Sequence, residues 1–524
     1  MLTAGYRKFL SLTIPTFTVN PKLHLPATLA VVVVIAVGLA WLPLKYAVAA
    51  VGGSIFLALA LIEPSLVLVA LIPVIPFSSL ATTSVGGAKA GAMELLLLLA
   101  AAIWLLKLLT AQVASGRPLA VRHGPLLLPF ALLLGGLALT WLNALSIRAS
   151  LIETIKWVEM AVLYLFIINL LPPQKIKWVV AVIFLAGMAQ AVLGLYQFVF
   201  KVGPEGFLLF GGQFLRAYGT FAQPNPYGGY LGLVLPLALS VAIWAAESTP
   251  HSRAVIWSAD SPAFVNRPIR LAYRLARVMV LSLPLLIMLA ALFASQSRGA
   301  WLGFAAAAVV TIVVRSKKYA ALVVSLALVG VVALLASSIS LNPGQAQTDS
   351  PLAAVTQRFV DAALIFEIKD VAITPVTDAN FATVERLAHW QAARDMWRDH
   401  PWLGVGFGNY AVIYPAYAVG RWLDPLGHAH NYWLNLGAET GLLGVTVYLI
   451  FWIWSFAVLW IVVRKNRGFY QAVAAGGLGV LVHLQVHNMV DNLYVQGMYL
   501  HVAVILGICA VIYLFNKRVP SCPS

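Results

Sequence analysis

Apolar runs of about 20 residues recur along this chain from residue 28 to residue 515, and that recurrence removes most folds from consideration before any motif is read. A helix of about 20 residues crosses the roughly 30 Å of hydrocarbon in a bilayer. In that solvent only helices and closed barrels satisfy every backbone N–H and C=O. The alternating polar and apolar strands of a barrel are missing from the pattern. With 61% hydrophobic residues and only 10% charged, the sequence predicts an all-α, polytopic membrane protein. Candidate spans fall at about 28–42, 46–62, 64–80, 91–109, 125–142, 151–171, 177–200, 225–245, 278–296, 299–314, 319–339, 433–463, 469–489 and 496–515. The earliest are short, so the expected number is about 12–14. One transmembrane domain over residues 1–524, with one large loop at 340–430, is the simplest organisation.

The formal net charge is +16. Its placement argues against nucleic acid as a partner, because the basic residues mostly cap apolar runs, where they orient a membrane protein. With the N-terminus inside, "KLLTAQVASGRPLAVRH", "PPQKIK", the stretch from Arg253 to Arg277, "RSKK", "RKNR" and "NKR" all become inner loops, and every one is basic. Both termini then face the cytosol and the 340–430 loop faces outward. The opening "MLTAGYRKFLSLTIPTFTVNPKLHLP" lacks a compact apolar core with a small-residue cleavage site and reads as a cytosolic arm. Cys509 and Cys522 have no metal-ligand spacing, which excludes a cysteine metal site and a disulfide framework.

Within the large loop, "TVERLAHWQAARDMWRD" (383–399) places Leu387, Trp390, Ala393, Met396 and Trp397 at three- and four-residue spacing, the pattern of an amphipathic helix lying on the outer face of the bundle. Pro401 and the glycines of "PWLGVGFGNY" end it. The same topology gathers polar residues on the outward side: Arg216 and Asn225 in "RAYGTFAQPNPYGG", Arg298 in "SQSRGAWLG", Arg386, Arg394, Arg398, His428, His430 and Asn431 in the large loop, and His487, Asn488, Asp491 and Asn492 in "VHNMVDNLYV". A lone arginine at a span end is ordinarily a snorkelling anchor. Arg298 departs from that reading, since it lies on the side where positive anchors are disfavoured and is flanked by small residues. His483 and His501 lie inside spans and read as packed polar residues. Asp370, Asp378 and Asp424 are too scattered to form a metal-binding carboxylate cluster.

Guanidinium forks bind phosphate oxygens bidentately and stay charged at any relevant pH. A histidine takes a proton from a hydroxyl near neutral pH. Together they describe transfer of a group from a lipid diphosphate to an alcohol, the arginines stabilising charge as it builds on the leaving phosphate. A transporter of the same polyanionic lipid would instead place ionisable residues near the middle of interrupted spans.

The stretches "RAYGTFAQPNPYGGYLGLVLPLAL" (216–239), "SQSRGAWLGF" (295–304), "ERLAHWQAARDMWRDHPWLGVGFGNY" (385–410) and "HAHNYWLNLGAETGLLG" (428–444) resemble, in that arrangement, the O-antigen ligase and polymerase superfamily of GT-C glycosyltransferases. The resemblance runs from about residue 190 to about 505. It implies transfer of a glycan from undecaprenyl diphosphate to an acceptor hydroxyl, such as one on a lipid A core, with inversion and without sugar nucleotide, metal or other cofactor. It also implies a bacterial inner-membrane location with the site facing outward, and membrane lipids as the surroundings. Carried over residue by residue, it makes His430 the general base and gives the diphosphate to Arg216 and Arg298. Arg386, His428, Asn431, Asn225 and Arg394 join them as substrate-binding candidates. His428 and His430 both fit the family's loop histidine; His430 is favoured because Asn431 directly follows it. A ligase is favoured over a polymerase of lipid-linked repeats because of the long outward loop and the "HAHN" stretch.

Overall fold

The computed structural model describes residue 37 and residues 41–80, 82–85, 88–115, 121–209, 212–247, 267–315, 370–377 and 380–518. Most of the expected span at 28–42, all of that at 319–339, and residues 340–369 of the large loop lie outside the described residues. The all-α expectation holds. Eight of the described helices are long and apolar enough to cross a membrane, and three shorter apolar helices, at Ser65–Leu80, Leu127–Asn143 and Val278–Ala294, accompany them. The chain clusters into two compact units, Met1–Leu68 with Leu99–Val121, and Val69–Leu98 with Arg122–Ser524.

In chain order the helices are α1 (Leu44–Ile62), α2 (Ser65–Phe77), α3 (Ala92–Ser115), α4 (Leu127–Leu139), α5 (Ile147–Leu170), α6 (Ile176–Phe200), α7 (Pro224–Glu247), α8 (Arg267–Ala294), α9 (Arg298–Arg315), α10 (Phe381–Asp399), α11 (Tyr410–Ile413), α12 (Tyr432–Lys465), α13 (Gly468–His487) and α14 (Met498–Arg518). Two short antiparallel hairpins, Thr82–Val85 with Ala88–Gly91 and Leu208–Leu209 with Phe214–Leu215, are the described sheet. In α1 only Ala60 is buried, and its exposed leucines and valines present an apolar surface suited to lipid. α8 continues through Arg267–Arg277, which the sequence reading treated as loop. Arginine is a good helix former, so the helix runs on past its apolar part.

In the larger unit α13 lies at the centre, packed on α7, α9 and α12. Its run Ala474–Ala475–Gly476–Gly477 supplies the close approach that helices in lipid use in place of a hydrophobic driving force. A Cβ at Gly476 would meet the backbone of Leu237 on α7 at 2.6 Å. The imidazole of His483 fills the same seam against Gly232 of α7 and Gly303 of α9. His501, also fully buried, puts Nε2 3.3 Å from the carbonyl of Leu233, so both in-span histidines are packed as expected.

α12 reads as one helix of 34 residues but is broken at Gly441, where φ is +57° and ψ is −159°. That conformation is essentially reserved for glycine. The break frees backbone groups, and the loop after α10 takes them up. Leu442 and Leu443 N–H donate to the carbonyls of Pro401 and Trp402, and Val405 N–H donates to that of Ala438. The buried carboxyl of Glu439 accepts from Tyr410 N–H at 2.9 Å. The "GAETG" signature is thus the clasp that holds this loop. α10 packs its Ala392, Ala393 and Met396 against Ala438 and Ala429, so it is seated on the first turns of α12. A Cβ at Gly441 would collide with the backbone of Trp402. Gly441→Ala is therefore expected to cost roughly 2–3 kcal/mol from strain and collision, seen as a melting temperature several degrees lower in detergent.

Candidate active site

The N-terminal ends of α7, α9 and α12 and the C-terminal end of α13 meet at one end of the larger unit, and α10 lies across them. Between them opens a cleft of about 90 Å³, lined among others by Arg216, Asn225, Arg298, Arg386, His487 and Asp491. Three arginines far apart in sequence therefore face one space.

Each is placed by local structure. Arg216 follows the second short hairpin; its Nε donates to Ser295 O at 3.1 Å and its Nη2 to Asn225 Oδ1 at 2.8 Å. Asn225 thus aims Arg216. Arg298 opens α9 after Ser295, Gln296 and Ser297, where Gln296 takes a positive φ to turn the chain sharply from α8. The helix N-terminus adds its own partial positive charge. Arg386 enters from α10.

The histidines stand beside this cationic wall. His430 has φ of +51°, a left-handed conformation uncommon outside glycine and of the kind that collects at functional sites. Its surroundings fix it there. The N–H of His430 donates to His428 Nδ1 at 3.0 Å, and its carbonyl accepts from Trp390 Nε1 at 3.4 Å. Asn431 caps α12, its Oδ1 accepting from Leu434 N–H at 3.1 Å. Tyr432 N–H then donates to the carbonyls of Asn488 and Asp491, tying the start of α12 to the turn after α13. The result sets His430 Nδ1 facing Asp491 Oδ1 at 3.7 Å, beyond direct hydrogen-bonding distance.

Burial works against the Asp491 carboxylate. The facing His430, then His487, Arg386 and His428, override it and hold the group well below the usual carboxylate range. Burial pushes the imidazole of His428 down to about 4, with His430 adding to the effect. His389 of α10 is likewise pushed down to about 4 by burial and by the two neighbouring histidines. It stacks on Tyr414 and hydrogen-bonds Tyr410 Oη at 3.0 Å. Two histidines that stay neutral when folded but take up protons near the usual 6.5 when unfolded make the unfolded state bind more protons between about 6.5 and 4. Stability is therefore expected to be level above that window and to fall as pH drops through it, in a series of thermal melts from pH 8 to pH 4. His428→Asn should flatten the slope.

Of the sequence candidates, Arg216, Arg298, Arg386 and Asn225 line the cleft, and His430 and His428 adjoin it through Asp491. Asn431 serves as the cap and lines a separate apolar recess with Trp433, Gln485, Val486 and Met489. Arg394 stands apart: it is 70% exposed, with Nε 3.8 Å from its neighbour Asp395. His487 and Asp491 were placed on the outward side by the sequence but given no role, and His389 was not singled out. The spacing of four between His487 and Asp491, just past the end of a span, is the signal that would have paired them.

Donor atoms of His428, His430 and Asp491 lie within 4.8 Å of one another, a grouping able to hold a metal ion that the sequence did not foretell. The hydrogen bonding disfavours that use. A neutral imidazole has one N–H and one lone pair. In His428 the lone pair, on Nδ1, already accepts the N–H of His430, which leaves an N–H at Nε2 and no free ligand atom.

Fold and site together define a multi-pass membrane protein with a cleft lined by three arginines beside a histidine that faces a buried carboxylate. Residues 283–449, the segment that carries Arg298, Arg386, His428, His430 and Asn431, match the family described as O-antigen ligase. No curated protein matches the chain.

Proposed function

We propose that this protein is a glycosyltransferase of the ligase type, moving a glycan from undecaprenyl diphosphate to a sugar hydroxyl of an acceptor such as lipid A core. The convergence of Arg216, Arg298 and Arg386 on one cleft, walled by the Asp491 that faces His430, carries the reading. The arginines take the diphosphate in bidentate contacts. Asp491 keeps the proton of His430 on Nδ1, so Nε2 presents its lone pair to the acceptor. The acceptor oxygen attacks the anomeric carbon from the face opposite the diphosphate as Nε2 takes its proton. The bond from that carbon to the diphosphate oxygen breaks, its electron pair stays on the oxygen, and the guanidinium groups stabilise the charge. The product has inverted configuration.

His430 rather than His428 suits the base, because the acceptor nitrogen of His428 is occupied and its N–H at Nε2 only donates. Asn225 acts by aiming Arg216, and Arg394, exposed and outside the cleft, lies too far along α10 to join the diphosphate set. The position of all these groups at helix ends, with α13 closely packed beneath, supports transfer at the membrane boundary over passage through the bundle. In the cell the protein sits in the bacterial inner membrane with the cleft outward and both termini cytosolic.

The test offers purified protein a fluorescent undecaprenyl-diphosphate oligosaccharide without sugar nucleotide, with and without a chelator, and two acceptors: lipid A core and a second copy of the donor. Transfer to the core in both buffers is the expected result. Laddering on the donor would make the protein a polymerase, chelator sensitivity would bring the metal grouping back, and lipid bound without transfer would make it a carrier.

A further inference from the structure

His487 has no role in the reaction as drawn, yet its setting is unusual for a packed residue. It is fully buried from bulk solvent, lines the same cleft as the three arginines, and neither ring nitrogen meets a hydrogen-bond partner. His483 is likewise without a ring-nitrogen partner, but it lies in the helix seam, whereas His487 reaches the cleft. Here the ring rests edge-on against His483 below, with centroids 5.4 Å apart. On its other sides it meets the Cβ-less backbone of Gly229 on α7 and Gly299 on α9. A Cβ at Gly299 would stand 3.6 Å from Nε2, so that edge of the ring lies close to a glycine beside Arg298.

We infer that His487 is a fourth ligand of the anion in this cleft, donating its Nε2–H to a phosphate oxygen held between Arg216 and Arg298. The inference rests on the reading of the cleft as a diphosphate site and adds a specific role within it. Arginines bind any phosphate strongly through charge. A neutral N–H fixed in a buried wall adds direction, favouring the larger diphosphate that reaches it over a monophosphate that is satisfied by the guanidinium groups alone.

Full-length protein in detergent would be titrated with farnesyl diphosphate and, separately, farnesyl monophosphate, following binding by calorimetry. His487→Leu keeps the volume and removes the donor; it should weaken diphosphate binding about tenfold, leave monophosphate binding near the parent value, and melt near the parent temperature. His487→Gln, which restores an N–H at a similar reach, should recover most of the loss. If the leucine variant does not fold, His487→Met carries the same expectation. Equal loss for both ligands, or no loss for either while Arg298→Ala no longer binds, would show His487 to be packing in a cleft that still binds anions. Undiminished binding by Arg216→Ala and Arg298→Ala would remove the anion site itself, and His487 with it.

Discussion

His430→Ala is expected to abolish glycan transfer while the protein is still made and inserted. A positioned general base contributes on the order of 10²–10⁴ in rate, and among the described residues neither histidine beside His430 offers a free, suitably placed lone pair. His428 has committed its acceptor nitrogen. His389 is turned to Tyr410, with Nδ1 3.0 Å from that hydroxyl. Alanine alone does not separate chemistry from backbone, because the left-handed φ at position 430 is strained for any side chain but tolerated best by asparagine, aspartate and histidine. His430→Asn is therefore the paired variant. It keeps the local turn and lacks a base, so it should be as inactive as alanine. Near-parent turnover by either variant, measured with saturating donor and acceptor, would falsify the assignment of His430 as the base.

Arg298→Lys should lower transfer by at least an order of magnitude, although it preserves the charge. Lysine offers a point charge on a flexible stem, whereas arginine offers a planar fork that meets two phosphate oxygens together. The position rewards that geometry. Arg298 begins α9 immediately after the sharp turn from α8, between Ser297 and Gly299, and faces Arg216 and Arg386 across the cleft. The loss should fall on kcat more than on KM, because the fork gains most as charge accumulates on the leaving diphosphate. A lysine variant with unaltered kcat and KM would return Arg298 to the role of a membrane-boundary anchor.

Much of this was legible in the chain because hydrocarbon imposes simple rules. Helix length and basic flanks located most spans, and the topology they imply brought Arg216, Arg298, Arg386 and His430 to one side without any contact being known. Arg394 was misplaced for a geometrical reason. It follows Arg386 by eight residues on α10, which is about 12 Å along the axis and roughly 80° around it, enough to carry it from the cleft to solvent. The roles of Asn225, Asp491 and His487 could not be read, because each depends on which helix end lies beside which. The break at Gly441 was hidden as well, since an apolar run shows no interruption when a single glycine supplies it. The hydrogen bond from His430 N–H to His428 Nδ1, which supports His430 as the proposed base beside its place before Asn431, has no sign in the sequence.

The interruption of α12 also bears on how this protein can be made. As one uninterrupted rod, Tyr432–Lys465 would be roughly 51 Å long, far more than a bilayer accommodates without steep tilt, and it would carry Glu439, Asn435 and Thr440 toward the acyl chains. Divided at Gly441, the segment Leu442–Lys465 presents the insertion machinery with roughly 36 Å of helix, free of acidic residues and ending in Arg464 and Lys465, a self-sufficient stop-transfer signal. The polar turns that follow His430 are thereby released from the hydropathy that membrane integration demands. Selection acting on the end that carries His430 and selection acting on biogenesis can proceed on the two sides of one glycine.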